Sequence, residues 1–117
     1  MPYYVESKDH ALRKRFEEIV LDWPGVTKKI MFGSPSYAAE GTLFAILVTD
    51  GIILTRLDEE QKSALISTGF ADYFSGHGRV MKKWVVVSVG DPSHIDRYLP
   101  FITASYQAAR MGTGSRK

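Results

Sequence analysis

Two apolar runs, Leu-Phe-Ala-Ile-Leu-Val at 43–48 and Ile-Ile-Leu-Thr-Arg-Leu at 52–57, flank Thr49-Asp50-Gly51 and constrain the fold more than any other stretch of the chain. Asp-Gly between two such runs is a strong hairpin signal, because the turn needs a positive φ and glycine supplies it without steric cost. A meander of strands is therefore expected here. The first run is apolar on both pleat faces, so both faces of the sheet it joins must be covered.

The rest of the chain supplies the cover. Leu12, Phe16, Ile19, Val20 and Trp23 recur at helical spacing, with Arg13, Lys14, Arg15, Glu17 and Glu18 on the opposite side. Ser7 is a candidate N-cap and Trp23-Pro24-Gly25 a stop, which predicts a helix over 7–22. Residues 26–32 alternate as a strand interrupted by Lys28 and Lys29, residues that often guard a sheet edge. A turn at 33–35 and a short strand at 37–40 lead into the central strand at 42–48.

Beyond the hairpin, Asp58 is placed to cap a short helix whose acidic first turn suits the helix dipole. Gly69 is expected as its left-handed terminal residue, with Phe70 packing back on Leu65. Residues 73–78 read as loop or weak strand. Residues 80–89 read as a long strand with Met81, Val85, Val87 and Val89 on one face and Trp84 and Val86 on the other. Asp91 at N-cap and Pro92 at N1 start a last helix with a buried stripe of Ile95, Leu99, Ile102 and Tyr106. Pro100 predicts a kink or break near Tyr98 and Leu99.

The order predicts an α+β fold, an antiparallel sheet with helices at both ends of the chain and one short helix between strands. Its 117 residues are read as one domain over 1–111 and a disordered tail over 112–117. Three helices cover one face of such a sheet well and the other poorly, so a second copy is expected on the open face. Phe44, Trp84 and Val86 are the candidate residues of that homodimer interface. No run is long enough to span a bilayer and the first ten residues lack the pattern of a secretory signal, so the expected location is the cytoplasm.

Chemistry is sparse. The absence of cysteine removes disulfides, thiolate catalysis and cysteine-held metal centres. His10, His77 and His94 are scattered and lack metal-ligand spacing. Ser34 and Ser36 flank Pro35 in a sequence that is not a nucleophile elbow, and turn chemistry explains them better. Asp58, Glu59 and Glu60 suit helix capping rather than acid–base work. No catalytic constellation, cofactor or metal is expected.

Gly76-His77-Gly78-Arg79, followed by Lys82 and Lys83, is the candidate contact for a partner or a phosphate, since glycines expose backbone N–H groups beside three cations. A mobile turn entering a strand explains the same residues. Lys28, Lys29, Arg79, Lys82 and Lys83 offer the alternative of a nucleic-acid surface if their two strands are neighbours. A net charge of +2, part of it from Arg116 and Lys117 in the tail, disfavours that alternative. Tyr3, Tyr4, Tyr37, Tyr73 and Trp84 are not interleaved with arginines and read as core and interface.

Met31-Phe32-Gly33, Pro35, Tyr37, Gly41, Leu43-Phe44-Ala45, Leu54-Thr55-Arg56-Leu57 and the block from Gly78 to Val86 together resemble the TfoX/Sxy N-terminal-domain family. The resemblance covers nearly the whole chain. It implies one antiparallel sheet with helices, in a wider group with YjbR-like domains and secretion-chaperone-like folds. It also implies a regulatory role in transcription, because the best-known member is a competence regulator that assists a transcription activator. That member carries a further C-terminal domain, whereas this sequence stops at Lys117, so the expectation is a stand-alone protein-binding module rather than a competence regulator. Pro100 departs from the uninterrupted helix of the family.

Overall fold

The two apolar runs fold into the middle of a six-stranded antiparallel sheet with the order β1-β2-β3-β4-β6-β5. The computed structural model describes residues 6–31, 33–76 and 79–112. Along the chain these form α1 (Glu6–Val20), β1 (Val26–Met31), β2 (Ser34–Ala39), β3 (Thr42–Val48), β4 (Gly51–Leu54), α2 (Glu59–Ile66), β5 (Ala71–Gly76), β6 (Arg79–Ser88), a 3₁₀ turn (Pro92–Tyr98) and α3 (Leu99–Gly112). The architecture is α+β, as the order of the sequence signals predicts. Of the expected tail, Gly112 closes α3 and the remainder lies outside the described residues.

The central hairpin forms with a different residue in the strained position. Asp50 takes the left-handed conformation, φ 57°, while Gly51 is already the first residue of β4 and pairs with Val48. Glycine at 51 answers a different need, because a Cβ there would lie 2.5 Å from the Val87 carbonyl oxygen of β6. Buried Asp9 of α1 holds the turn by accepting the Asp50 N–H at 3.1 Å. The Asp50 carbonyl in turn accepts the N–H groups of Val89 and Gly90, which ties the end of β6 to the hairpin.

β3 carries a bulge that alternation alone does not reveal. Tyr37 pairs with Ala45 and Ala38 with Leu43, which leaves Phe44 as the extra residue. Phe44 and Ala45 therefore both enter the core beneath the helices, while Leu43 and Ile46 join the opposite face. The carbonyls displaced by the bulge find other donors. Thr55 Oγ1 donates to the Leu43 carbonyl at 2.8 Å, and the Phe44 carbonyl accepts the Thr55 N–H and the hydroxyl of buried Ser105. Ser105 Oγ also accepts the Arg56 N–H, so one α3 hydroxyl closes two backbone groups of the sheet.

Helix ends mostly follow their sequence signals. Asp58 and Gln61 form a reciprocal capping box on α2, and Asp91 caps the 3₁₀ turn with Pro92 in its first turn. The Ser93 N–H and hydroxyl both donate to the Asp91 carboxylate and hold it below the ordinary carboxylate range. The break predicted near Tyr98 and Leu99 is the junction between the 3₁₀ turn and α3, which places Pro100 in the first turn of a new helix, where its missing N–H is harmless.

Two helix-end expectations fail. α1 begins at Glu6, so Ser7 lies inside the helix. After α2, Gly69 takes the expected left-handed conformation, φ 87°, but the Thr68 hydroxyl accepts the Phe70 N–H in place of the expected ending and Phe70 stays half exposed.

All the helices pack on one face of the sheet. Leu12, Phe16 and Val20 of α1, Leu65 of α2, Ile95 and Tyr98 of the 3₁₀ turn, and Ile102, Tyr106 and Ala109 of α3 share one core with Tyr37, Ala45, Leu47, Ile52, Leu54, Val85 and Val87. Aromatic edges fix the fit, with Phe16 against Tyr37 and Phe44 against Tyr106 at centroid separations of 4.9 and 5.5 Å.

Candidate interaction surface

Because strand residues alternate, the hydrogen-bonded register sorts the sheet into rows that face opposite sides. One row runs Lys28, Tyr37, Ala45, Leu54, Val85, Tyr73 across all six strands and lies under the helices. The adjacent row runs Lys29, Ser36, Ile46, Ile53, Val86, Asp72 and faces away from them. On that second face Ile46, Val48 and Ile53 form an apolar cluster, with Leu43, Phe74, Trp84 and Val86 packed around it. The centre is dry, Ile53 being only 2% exposed, whereas the surrounding four side chains remain partly open to solvent.

Trp84 is the largest of these side chains and its position is imposed by a second irregularity. Tyr73 pairs with Val85 but Phe74 pairs with Met81, so residues 82–84 of β6 have no opposite number on β5. The displaced strand brings Trp84 beside Phe74, ring centroids 5.8 Å apart, and both onto the apolar cluster. Alternation predicts Trp84 and Val86 on a common face, and they share one. It also places Met81 in step with Val85, whereas the register shift intervenes between them.

Phe44, expected beside Trp84 and Val86, sits on the other side of the sheet. It is fully buried and packs against Tyr106, because the bulge turns it toward α3. The apolar surface is instead completed by Leu43, Ile46, Val48, Ile53 and Phe74. The signal of the β3 and β4 residues was present in the two-sided hydrophobicity of those strands, but the bulge had to be known to assign each residue to a face.

The cations do not gather into one patch. β1, which carries Lys28 and Lys29, and β6, which carries Arg79, Lys82 and Lys83, are separated by β2, β3 and β4. Lys28 is engaged beneath α1, its Nζ 3.0 Å from Glu17 Oε2. Tyr37 donates its hydroxyl to the same carboxylate oxygen at 2.6 Å, and Arg13 lies 3.3 Å from the other oxygen. Burial, the largest single influence, pushes the Glu17 carboxyl up. The hydrogen bonds from Tyr37 and Lys28 and the charges of Lys28 and Arg13 together override it and hold the group below its ordinary range.

Lys29 and Lys83 are exposed, and neither makes an ion pair among the described residues. Gly76 and Arg79 face each other across the β5–β6 pair, and His77 and Gly78 lie outside the described residues. The described residues contain no group of three or more acidic or histidine side chains arranged to hold a metal ion, and no helix among them is long and apolar enough to cross a membrane.

The fold and this surface define a two-layer α+β protein with helices on one face of its sheet and an apolar, tryptophan-bearing cluster on the other. No family model, curated protein or solved structure matches the chain.

Proposed function

We propose that this chain is a small non-enzymatic binding module of the TfoX N-terminal-domain type, which acts as a homodimer through the helix-free face of its sheet. In this reading it serves transcription-related regulation in the cytoplasm by protein–protein contacts. The observation that supports it is the placement of Trp84, Val86, Phe74 and Leu43 as partly open apolar side chains around a dry centre. Aromatic residues over an apolar core are the composition expected of a protein interface.

The nucleic-acid alternative draws less support from the geometry. Its five cations fall on two strands at distant places in the sheet, and the ammonium of Lys28 is committed to Glu17. Light scattering coupled to gel filtration tests the reading, with the protein alone over a concentration series and with a short mixed-sequence duplex at low and moderate salt. A dimer that ignores the duplex is expected. A monomer at every concentration contradicts the homodimer, and a salt-sensitive complex with the duplex contradicts the choice of partner.

A further inference from the structure

The row that crosses the helix-free face is electrically lopsided. It begins at Lys29 on the β1 edge, passes through Ser36, Ile46, Ile53 and Val86, and ends at Asp72 on the β5 edge. Five interstrand spacings separate the two charges, roughly 24 Å at the usual ~4.8 Å per strand. Both terminal side chains are exposed. Asp72 accepts the N–H of Tyr73 at 2.7 Å, and neither residue takes part in an ion pair among the described residues. A surface with a cation at one end, an apolar middle and an anion at the other is complementary to itself in one arrangement only.

Two copies packed face to face are related by a two-fold axis lying between the sheets, and that axis has two simple choices. If it runs across the strands, each Lys29 meets the other copy's Lys29 and each Asp72 the other copy's Asp72. If it runs along the strands, the row is reversed in the second copy, and Lys29 meets Asp72 twice. Ile46 and Ile53 are already buried within one copy, so the apolar contact falls to the partly open Leu43, Phe74, Trp84 and Val86 with either axis and does not distinguish the two. The edge charges do, since like charges brought together oppose association while opposite charges select register.

We propose that the occupant of the helix-free face is a second copy of this chain, packed with the two-fold axis parallel to the strands, so that Lys29 of each copy faces Asp72 of the other. This rests on the homodimer reading above and specifies its geometry. Exposed rim pairs contribute little individually, but symmetry makes every substitution act twice.

The test is the dimer dissociation constant, from sedimentation velocity over a concentration series at low salt, for the wild type, Lys29→Glu, Asp72→Lys and the double variant Lys29→Glu/Asp72→Lys. Each single variant places two like-charge pairs in the interface and is expected to weaken the dimer about tenfold or more. The double variant exchanges the two ends and is expected to return close to wild type. Thermal melts of all four proteins identify any variant that fails to fold, and recovery in the double variant is a readout that misfolding cannot produce. A dimer whose dissociation constant does not respond to either single variant overturns the orientation and leaves the homodimer standing. A wild type that is monomeric throughout overturns both.

Discussion

Lys28 and Lys29 are neighbours in sequence with opposite surroundings, and the contrast between them is the contrast between the two faces of the sheet. Lys28 points under α1, where Glu17 pairs with it and Tyr37 shares the same carboxylate. Lys29 points to the helix-free side, exposed at the end of a row whose centre is isoleucine and valine. The Lys28 ammonium is consumed by the fold, whereas Lys29 makes no ion pair among the described residues. A residue type alone therefore says little about function here, and its row in the register says much.

Substitutions that separate stability from association sharpen this contrast, and the largest effect is expected on the covered face. Phe44→Ala removes a fully buried ring that packs on Tyr106 and should destabilise the protein by about 3–5 kcal/mol in urea or guanidinium unfolding. If Phe44 belonged to the open surface instead, its loss would alter self-association and leave unfolding almost unchanged.

Gly51→Ala drives a Cβ against the Val87 carbonyl at the β4–β6 pairing and should cost about 1–3 kcal/mol in the same assay. Ser105→Ala strips one donor from the Phe44 carbonyl and the acceptor from the Arg56 N–H. A loss of about 1–3 kcal/mol is expected, with Ser105→Thr retaining part of the stability if the hydroxyl is the cause.

The smallest effect concerns Glu17. Its carboxyl titrates below the ordinary value of 4.5 in the folded chain, so the unfolded chain binds the proton more readily. The stability that Glu17 contributes is therefore fully present above the unfolded value and lost as pH falls through the lower folded value. Unfolding measured from neutral pH down through the acid range should show a shallower acid limb in Glu17→Gln than in the wild type. Matching slopes in the two proteins would show that the cluster with Lys28 and Tyr37 adds no pH-dependent stability.

Much of the fold was legible because local signals and the final structure agree. The Asp58 cap and the Asp91–Pro92 helix start are read from a few adjacent residues, and the break before Pro100 follows from one ring. The errors arise where a distant strand decides the outcome. Gly51 looks like a turn residue, yet its lack of a side chain is needed by Val87, far along the chain. Phe44 looks like an outward residue by alternation until the bulge opposite Tyr37 and Ala38 reverses it. Ser105 gives no sequence cue at all, since its partners are backbone groups of β3 and of the segment after β4.

The interaction surface was partly legible for the same reason. Trp84 and Val86 flank a single residue of β6, so alternation places them together. Completing the surface with Leu43, Ile46 and Phe74 required two register shifts that leave no mark in the pattern. The supposed union of the lysine pairs required strand order, which places β2, β3 and β4 between them.

The helix-free face as an interface is tested most directly by the solution mass of Val86→Lys, measured by sedimentation equilibrium beside the wild type. Val86 borders the apolar cluster, while adjacent Val85 is fully buried under the helices. A dimeric wild type and a monomeric Val86→Lys that melts cooperatively are the predicted pair of results. A variant that remains dimeric at the wild-type dissociation constant would contradict the account, because two added cations could not then lie between the facing sheets.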